Sequence, residues 1–369
     1  MNIAFRTDAS LQIGSGHVMR CLTLADALQA AGEQCHFICR EQPGHLIAQI
    51  RQRGFAVTVL PMMATEALSA NEQGSGAQSN YAAWLGADWA TDAAQTKADM
   101  DESAIDWLIV DHYALDARWE QTLRPQCRKL MVIDDLADRP HDCDLLLDQN
   151  LGRDAVDYSR LVPEHCRVLA GAGYALLRPE FAALREESLR RRAVPQLKQL
   201  LITMGGVDQA DATGKVLEAL KDCLLPINLR ITVVMGAHAP WLERVKMLAK
   251  QLPQTTEVKV NVDNMAQLMA DSDLAIGAAG STSWERCCLG LPTILVVLAD
   301  NQRKGAAALE QHGSVRLLGD AAAIPGALQS TLGALVSADA LNRLSRKSCL
   351  ITDGQGTIRV LDALNGCQD

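Results

Sequence analysis

The chain has 369 residues, 48% of them hydrophobic and 21% charged, with a formal net charge of −9. That is too long for one ordinary domain and supplies enough apolar material for two cores. The acidic balance argues against non-specific nucleic-acid binding, which needs basic patches. The longest clean apolar run, Ile294 to Ala299, falls far short of the ~20 residues a membrane helix requires.

In chain order, short apolar runs at 2–6, 34–39, 56–60, 106–111, 129–134 and 144–147 are the expected strands, with helix-length segments such as 17–31 and 43–53 between them. Strands apolar throughout and separated by helices imply a parallel sheet covered on both faces. Residues 62–102 are less regular, with a polar loop, ANEQGSGAQSN, and then a more ordered stretch carrying Trp84 and Trp89. The pattern restarts with strands at 198–204, 229–235, 257–261, 273–277 and 293–298, and helices at 208–224, 240–252, 264–271 and 281–289. Two α/β units of similar length imply two Rossmann-like, doubly wound domains facing each other, expected at 1–180 and 181–369. The connection is expected through 175–197 with its charged stretch Arg185 to Arg192, and the last helix is placed back on the first domain. Ligands in such sheets bind beyond the carboxyl ends of the strands, here in the cleft between the domains.

The chain enters a strand directly, with Arg6 and Asp8 close behind, so no signal peptide is expected. A cytoplasmic protein is expected. The eleven cysteines contain no CxxC pair and the histidines are scattered, so reduced thiols are expected and no structural metal.

The first turn reads Gly14-Ser15-Gly16-His17-Val18-Met19-Arg20. It begins like a dinucleotide fingerprint, but Arg20 stands where the third glycine belongs and the second strand ends in Cys39-Arg40, which argues against NAD. Gly14 and Gly16 permit a tight turn and close approach of a substrate. His17 falls in the first helical turn, where the positive helix end disfavours imidazolium and so suits a general base. Arg20 shares its face and can meet an anionic substrate group. The residues alone leave open whether His17 is a base or a histidine bonded to local backbone.

A more specific stretch is SDLAIGAAGSTSWERCCLGLPTILVVLADNQ, 272–302. A strand ends in small residues through Gly280, and Ser281-Thr282-Ser283 opens a helix, as in a seat for a nucleotide diphosphate. Glu285 lies one turn deeper, placed to accept from both ribose hydroxyls. Gly205 and Gly206, after the first strand of this half, offer further amides, and the Asn264-Met265 loop is a candidate for the nucleobase. Asn301 and Gln302 are candidates for sugar hydroxyls. In the first half, Asp111 and Tyr113 end one strand and Asp134-Asp135 another, all facing the ligand end of the sheet; one of the three aspartates is expected to be structural.

With RTDASLQIGSGHVMRCLTLADAL, VDHYALD, VIDDLADRPHDCDLLLDQN, LLITMGGVD and GAAGSTSWE in place, the chain resembles the PseG-like UDP-sugar hydrolases of pseudaminic acid biosynthesis. That family makes a precursor of a nonulosonic acid that decorates surface polymers such as flagellin. The resemblance implies the GT-B fold and hydrolysis of UDP-2,4-diacetamido-2,4,6-trideoxy-β-L-altropyranose, with water attacking the anomeric carbon and inversion. It implies His17 as general base, with Ser281, Thr282 and Glu285 holding UDP. The loop at 62–80 is longer and more polar than expected of the family. No cofactor or metal is implied, and no partner beyond the nucleotide-sugar. The last motif is shared with MurG-like glycosyltransferases, so a UDP-sugar glycosyltransferase of the same fold is the alternative. A non-catalytic nucleotide-sugar binding protein is a third reading.

Overall fold

The computed structural model describes residues 1–63, 81–100 and 104–367. Most of the polar loop at 62–80 therefore lies outside the described residues. The chain forms two compact units, one of Met1–Leu176 with Thr357–Asp369, the other of Leu177–Gly356.

The first unit holds a seven-stranded sheet in the order β3-β2-β1-β4-β5-β6-β7, all parallel. The strands are β1 (Asn2–Thr7), β2 (Gln34–Arg40), β3 (Ala56–Leu60), β4 (Ile105–Asp111), β5 (Cys127–Ile133), β6 (Leu145–Asp148) and β7 (Arg167–Ala170). The inner strands are buried almost end to end, as both faces of a parallel sheet demand. Chain order reverses between β1 and β4, which pair in the register Thr7 with Asp111. A doubly wound sheet opens a crevice at that switch point.

The second unit repeats the plan with six strands in the order β10-β9-β8-β11-β12-β13. These are β8 (Gln199–Thr203), β9 (Arg230–Met235), β10 (Thr255–Val260), β11 (Leu274–Ala278), β12 (Thr293–Val297) and β13 (Arg316–Asp320). Its switch point lies between β8 and β11, where Thr203 pairs with Gly277.

The units join at Leu176–Leu177, within the stretch expected to connect them, and most of the rest of that stretch is a helix of the second unit, Pro179–Arg192. Glu186 and Arg190 are solvated, but two other arginines of the run are not. Arg192 donates to the carbonyls of Leu289, Ser272 and Met269 at 3.0, 2.6 and 2.8 Å, and Arg185 reaches those of Cys349 and Thr352. Arginine stems lie along the core while their forks satisfy carbonyls left open at helix C-termini. The final helix, Gly356–Gly366, belongs to the core of the first unit, with Val360, Ala363 and Leu364 packed among Ile3, Leu22 and Leu28. Two strands unmarked in sequence, β7 and β13, are short sheet edges of four and five residues.

Truncating Leu364, which is fully buried, leaves a cavity under this returning helix. Leu364→Ala is expected to destabilise the first unit by about 2–4 kcal/mol, read as a lowered midpoint in urea denaturation.

Candidate active site

The turn after β1 is held by its own side chains. Ser10 Oγ accepts from the amides of Gln12 and Ile13 at 3.2 and 3.0 Å, and Gly14 N donates to Ser10 O at 2.8 Å. Closing that loop puts Gly14 at φ +77°, in the left-handed region that glycine reaches at no steric cost. The helix Gly16–Ala30 then starts without a side-chain cap, and His17 lies in its first turn.

His17 is only 7% exposed. Its Nδ1 lies 2.6 Å from Asp111 Oδ1. Arg20 grips the same carboxylate with two donors, Nε to Oδ2 at 2.6 Å and Nη2 to Oδ1 at 2.7 Å, and its Nη1 donates to Asp135 Oδ2 at 2.9 Å. Asp111 is fully buried. Burial alone would raise its carboxyl; the Arg20 guanidinium and His17 outweigh that and hold it well below the usual carboxylate range. An ionised carboxylate has only lone pairs to offer, so the proton in the His17–Asp111 bond belongs to Nδ1. In the neutral imidazole Nε2 is then the acceptor. The Tyr113 ring stands edge-on to the imidazole, centroids 4.5 Å apart, and Tyr81 and Trp84 pack on Tyr113 at 5.0 and 5.9 Å.

The expected roles of two residues shift on this geometry. The Arg20 fork is occupied by Asp111 and Asp135, and the Asp111 carboxylate by His17, Arg20 and the Cys21 thiol at 3.5 Å. Both lie behind the histidine. Beneath them runs a buried ionic cluster that the sequence does not disclose, because its members are far apart in the chain. Arg6 pairs with Asp8 at 2.8 Å and Asp92 at 2.6 Å; Arg40 also pairs with Asp92 at 2.6 Å, and Trp119 Nε1 donates to Asp92 at 3.0 Å. His112 Nε2 sits 3.5 Å from Asp8, and burial pulls that imidazole down to about 4.

In the second unit, Gly205 follows β8 and Gly206 O accepts from Gly236 N at 3.2 Å. Beside them the turn Ala278–Ser281 follows β11 and leads into the helix Thr282–Cys288. Gln302, in the turn Asp300–Gln302 after β12, anchors its Oε1 on Leu298 N at 2.9 Å, which leaves its Nε2 near Gly280. Glu285 has Arg178 at 3.9 Å; burial pushes its carboxyl up, against Arg178. The sheet thus brings Gly205, Gly206, Gly280, Ser281, Thr282 and Gln302 to one switch point, with Asn301 in the same turn as Gln302. Met265 opens the helix Met265–Asp271 after β10, which β9 separates from β8. Among the described residues no group of three or more His, Cys, Asp or Glu is placed to hold a metal ion, and no helix is long and apolar enough to cross a membrane.

Two doubly wound parallel sheets, each with polar groups gathered at its switch point, define a GT-B α/β protein. MurG of Acinetobacter baumannii superposes with a TM-score of 0.68 over 99% of both chains at 17% identity, a likeness of fold. Residues 200–354 match the glycosyltransferase family 28 C-terminal domain. In sequence the chain is similar to the UDP-2,4-diacetamido-2,4,6-trideoxy-beta-L-altropyranose hydrolase of Campylobacter jejuni, 27% identical over 314 residues, 85% of this chain and 97% of that protein. It is also 26% identical over 308 residues to an uncharacterised protein of Methanocaldococcus jannaschii, covering 82% of this chain but 57% of that one, so the chain spans little more than half the length of that relative. The resemblance drawn from the motifs is therefore found along most of the chain, and the fold it implied is the one observed.

Asp134, the neighbour of Asp135, is buried structure. It pairs with Arg139 at 2.8 Å and accepts from Ala137 N at 2.9 Å. The Tyr158 hydroxyl lies 3.0 Å from Asp134 Oδ2 and 2.9 Å from Asp148 Oδ2, one phenol between two carboxyls. Burial pushes Asp148 up to about 7, helped by Asp135 and opposed by the Asn150 amide. Folding thus raises its proton affinity, so the folded chain keeps a proton that the unfolded chain, with a carboxyl near about 4, has released. The contribution of Asp148 to stability is then full below about pH 4 and declines as pH rises toward about 7. Asp148→Asn, which mimics the protonated group, is expected to flatten that decline. Urea denaturation of both proteins at pH 5 and pH 8 measures it; parallel losses in the two would contradict the assignment.

Proposed function

We propose that this protein hydrolyses UDP-2,4-diacetamido-2,4,6-trideoxy-β-L-altropyranose to UDP and the free sugar. The observation that carries the reading is the His17–Asp111 bond, which commits Nδ1 as donor and leaves Nε2 as a lone pair. The likeness to the Campylobacter jejuni hydrolase over nearly its whole length supports the substrate class.

In the proposed step, water attacks the anomeric carbon and gives its proton to His17 Nε2. The carbon–oxygen bond to the β-phosphate breaks, its electron pair leaves with UDP, and the configuration inverts. UDP is a stable anion, so protonation of the leaving group contributes little. The imidazolium that forms stands against Asp111, whose charge is held in place by Arg20. Arg20 Nη2 also stands 3.3 Å from His17 Nδ1, and the carboxylates of Asp111 and Asp135 offset much of the opposition its charge offers to the imidazolium. Backbone amides at Gly205, Gly206 and the Gly280–Thr282 turn offer fixed dipoles to the departing diphosphate, and Glu285 offers a carboxylate to the ribose. Gly14 and Gly16 leave room for the sugar, and Tyr113, Asn301 and Gln302 offer it polar contacts.

The family 28 domain match favours one rival, transfer of the sugar to an acceptor hydroxyl instead of water. UDP release from the nucleotide-sugar with no acceptor present tests the choice directly. Release at full rate is expected; release only on adding an acceptor would establish transfer. His17→Asn is expected to abolish turnover while UDP still binds, and Asp111→Asn to lower kcat by about 10²–10⁴-fold through loss of the correct tautomer. Wild-type turnover in His17→Asn would remove the base assignment. Turnover is expected to be unchanged by EDTA; loss restored by a divalent cation would add a metal to the step.

A further inference from the structure

The second unit buries a guanidinium, that of Arg286, that forms no ion pair among the described residues. Arg286 is 1% exposed. Its Nη2 donates to Ala278 O at 2.6 Å and to Ser283 Oγ at 3.1 Å, its Nη1 to Thr282 Oγ1 at 3.3 Å, and its Nε has no partner. Every hydrogen-bond acceptor it meets is neutral and belongs to the 278–283 segment.

The other deeply buried arginines differ. Arg6, Arg20 and Arg40 each pair with carboxylates at 3.0 Å or less. Arg192 has no carboxylate, but it meets three carbonyls at helix C-termini, where the negative helix end answers its charge. Arg286 sits instead on the helix Thr282–Cys288 with its side chain drawn back to the turn that begins it. There the helix end is positive and adds to its charge. Burial draws the guanidinium down to about 10, opposed in part by Cys287 and Glu285, so it remains a cation at neutral pH. An isolated buried charge is costly. The chain nevertheless makes room for it: a Cβ on Gly277 would collide with Arg286 Nη1.

We propose that the missing counter-ion is the diphosphate of the nucleotide, and that Arg286 is a positioning residue that makes the 278–283 turn selective for a diphosphate over an uncharged nucleoside. The inference rests on the nucleotide seat assigned above. Arg286 shapes the turn through Ala278 O, Thr282 Oγ1 and Ser283 Oγ, which turns those acceptors inward and leaves backbone N–H groups for phosphate oxygens. Its charge acts across the turn in a medium with little water to screen it.

Isothermal titration calorimetry with UDP and with uridine separates charge from shape. Arg286→Gln removes the charge and keeps a polar amide of shorter reach; Arg286→Lys keeps the charge. UDP affinity is expected to fall about 10–100-fold in Arg286→Gln and to stay within about 3-fold of wild type in Arg286→Lys, while uridine binding is unchanged in both. Uridine binding also reports that each variant is folded. Equal losses for UDP and uridine, or wild-type UDP affinity in Arg286→Gln, would overturn the proposal while leaving the seat intact. A wild-type chain that does not bind UDP would overturn the seat itself.

Discussion

Both sheets obey one constraint. Consecutive crossovers leave the central strands in opposite directions, and where they part no helix covers the carboxyl ends. In the first sheet that gap lies between β1 and β4, in the second between β8 and β11. The loops that emerge there carry His17 and Tyr113 in one unit and Gly205 and Ser281 in the other. Asp111 is the last residue of β4, in register with Thr7 of β1, so the pairing that builds the sheet also fixes the carboxylate under the first helix. The histidine is positioned by sheet register as much as by its own helix.

That arrangement forces charges into the interior, and the first unit answers each with a partner. Arg20 neutralises Asp111 and Asp135, and Arg6 and Arg40 share Asp92. Removing one member would strand its partner as an uncompensated buried charge, a loss of several kcal/mol. The geometry of Arg20 also matters. Its two parallel bonds to Asp111 fix the plane of the carboxylate, and hence the direction from which Oδ1 meets the imidazole. An ammonium group has no such fork.

Much of this was legible in the sequence, for reasons that can be named. IDWLIVD and TILVV are apolar over their whole length because both sheet faces are covered, and the restart of that pattern marks the second unit. The turn glycines and His17 stood out because they are local in the chain. What was not legible depends on distance. Asp111 lies 91 residues from Arg20, so the arginine read as a substrate contact and its use as a clamp was invisible. The helix Pro179–Arg192 read as a charged connection because its arginines find carbonyls some 80 to 167 residues away. Strands β7 and β13 were passed over because RVLA and RLLGD are short and each begins with a charged arginine, as suits an edge. Arg286 was hidden in the most specific motif of all, where attention went to the small residues around it.

The two units place different demands on the reaction proposed. Breaking a bond to a diphosphate needs the leaving charge to be received, and that falls to the second unit, with its amides and, by inference, a buried cation. Activating water needs a lone pair and a place for the positive charge that follows, and that falls to the first unit, with His17 backed by an anion. The unit that receives negative charge buries an unanswered arginine; the unit that generates positive charge backs its histidine with two carboxylates on one arginine. Each interior thus carries the sign opposite to the charge its ligand or base would develop, which is the signature of electrostatic preorganisation. A protein that only bound the nucleotide would gain from the first of these arrangements and nothing from the second. Arg20 offsets the burial of Asp111 in the resting chain, and in the proposed step the same carboxylate would face the imidazolium.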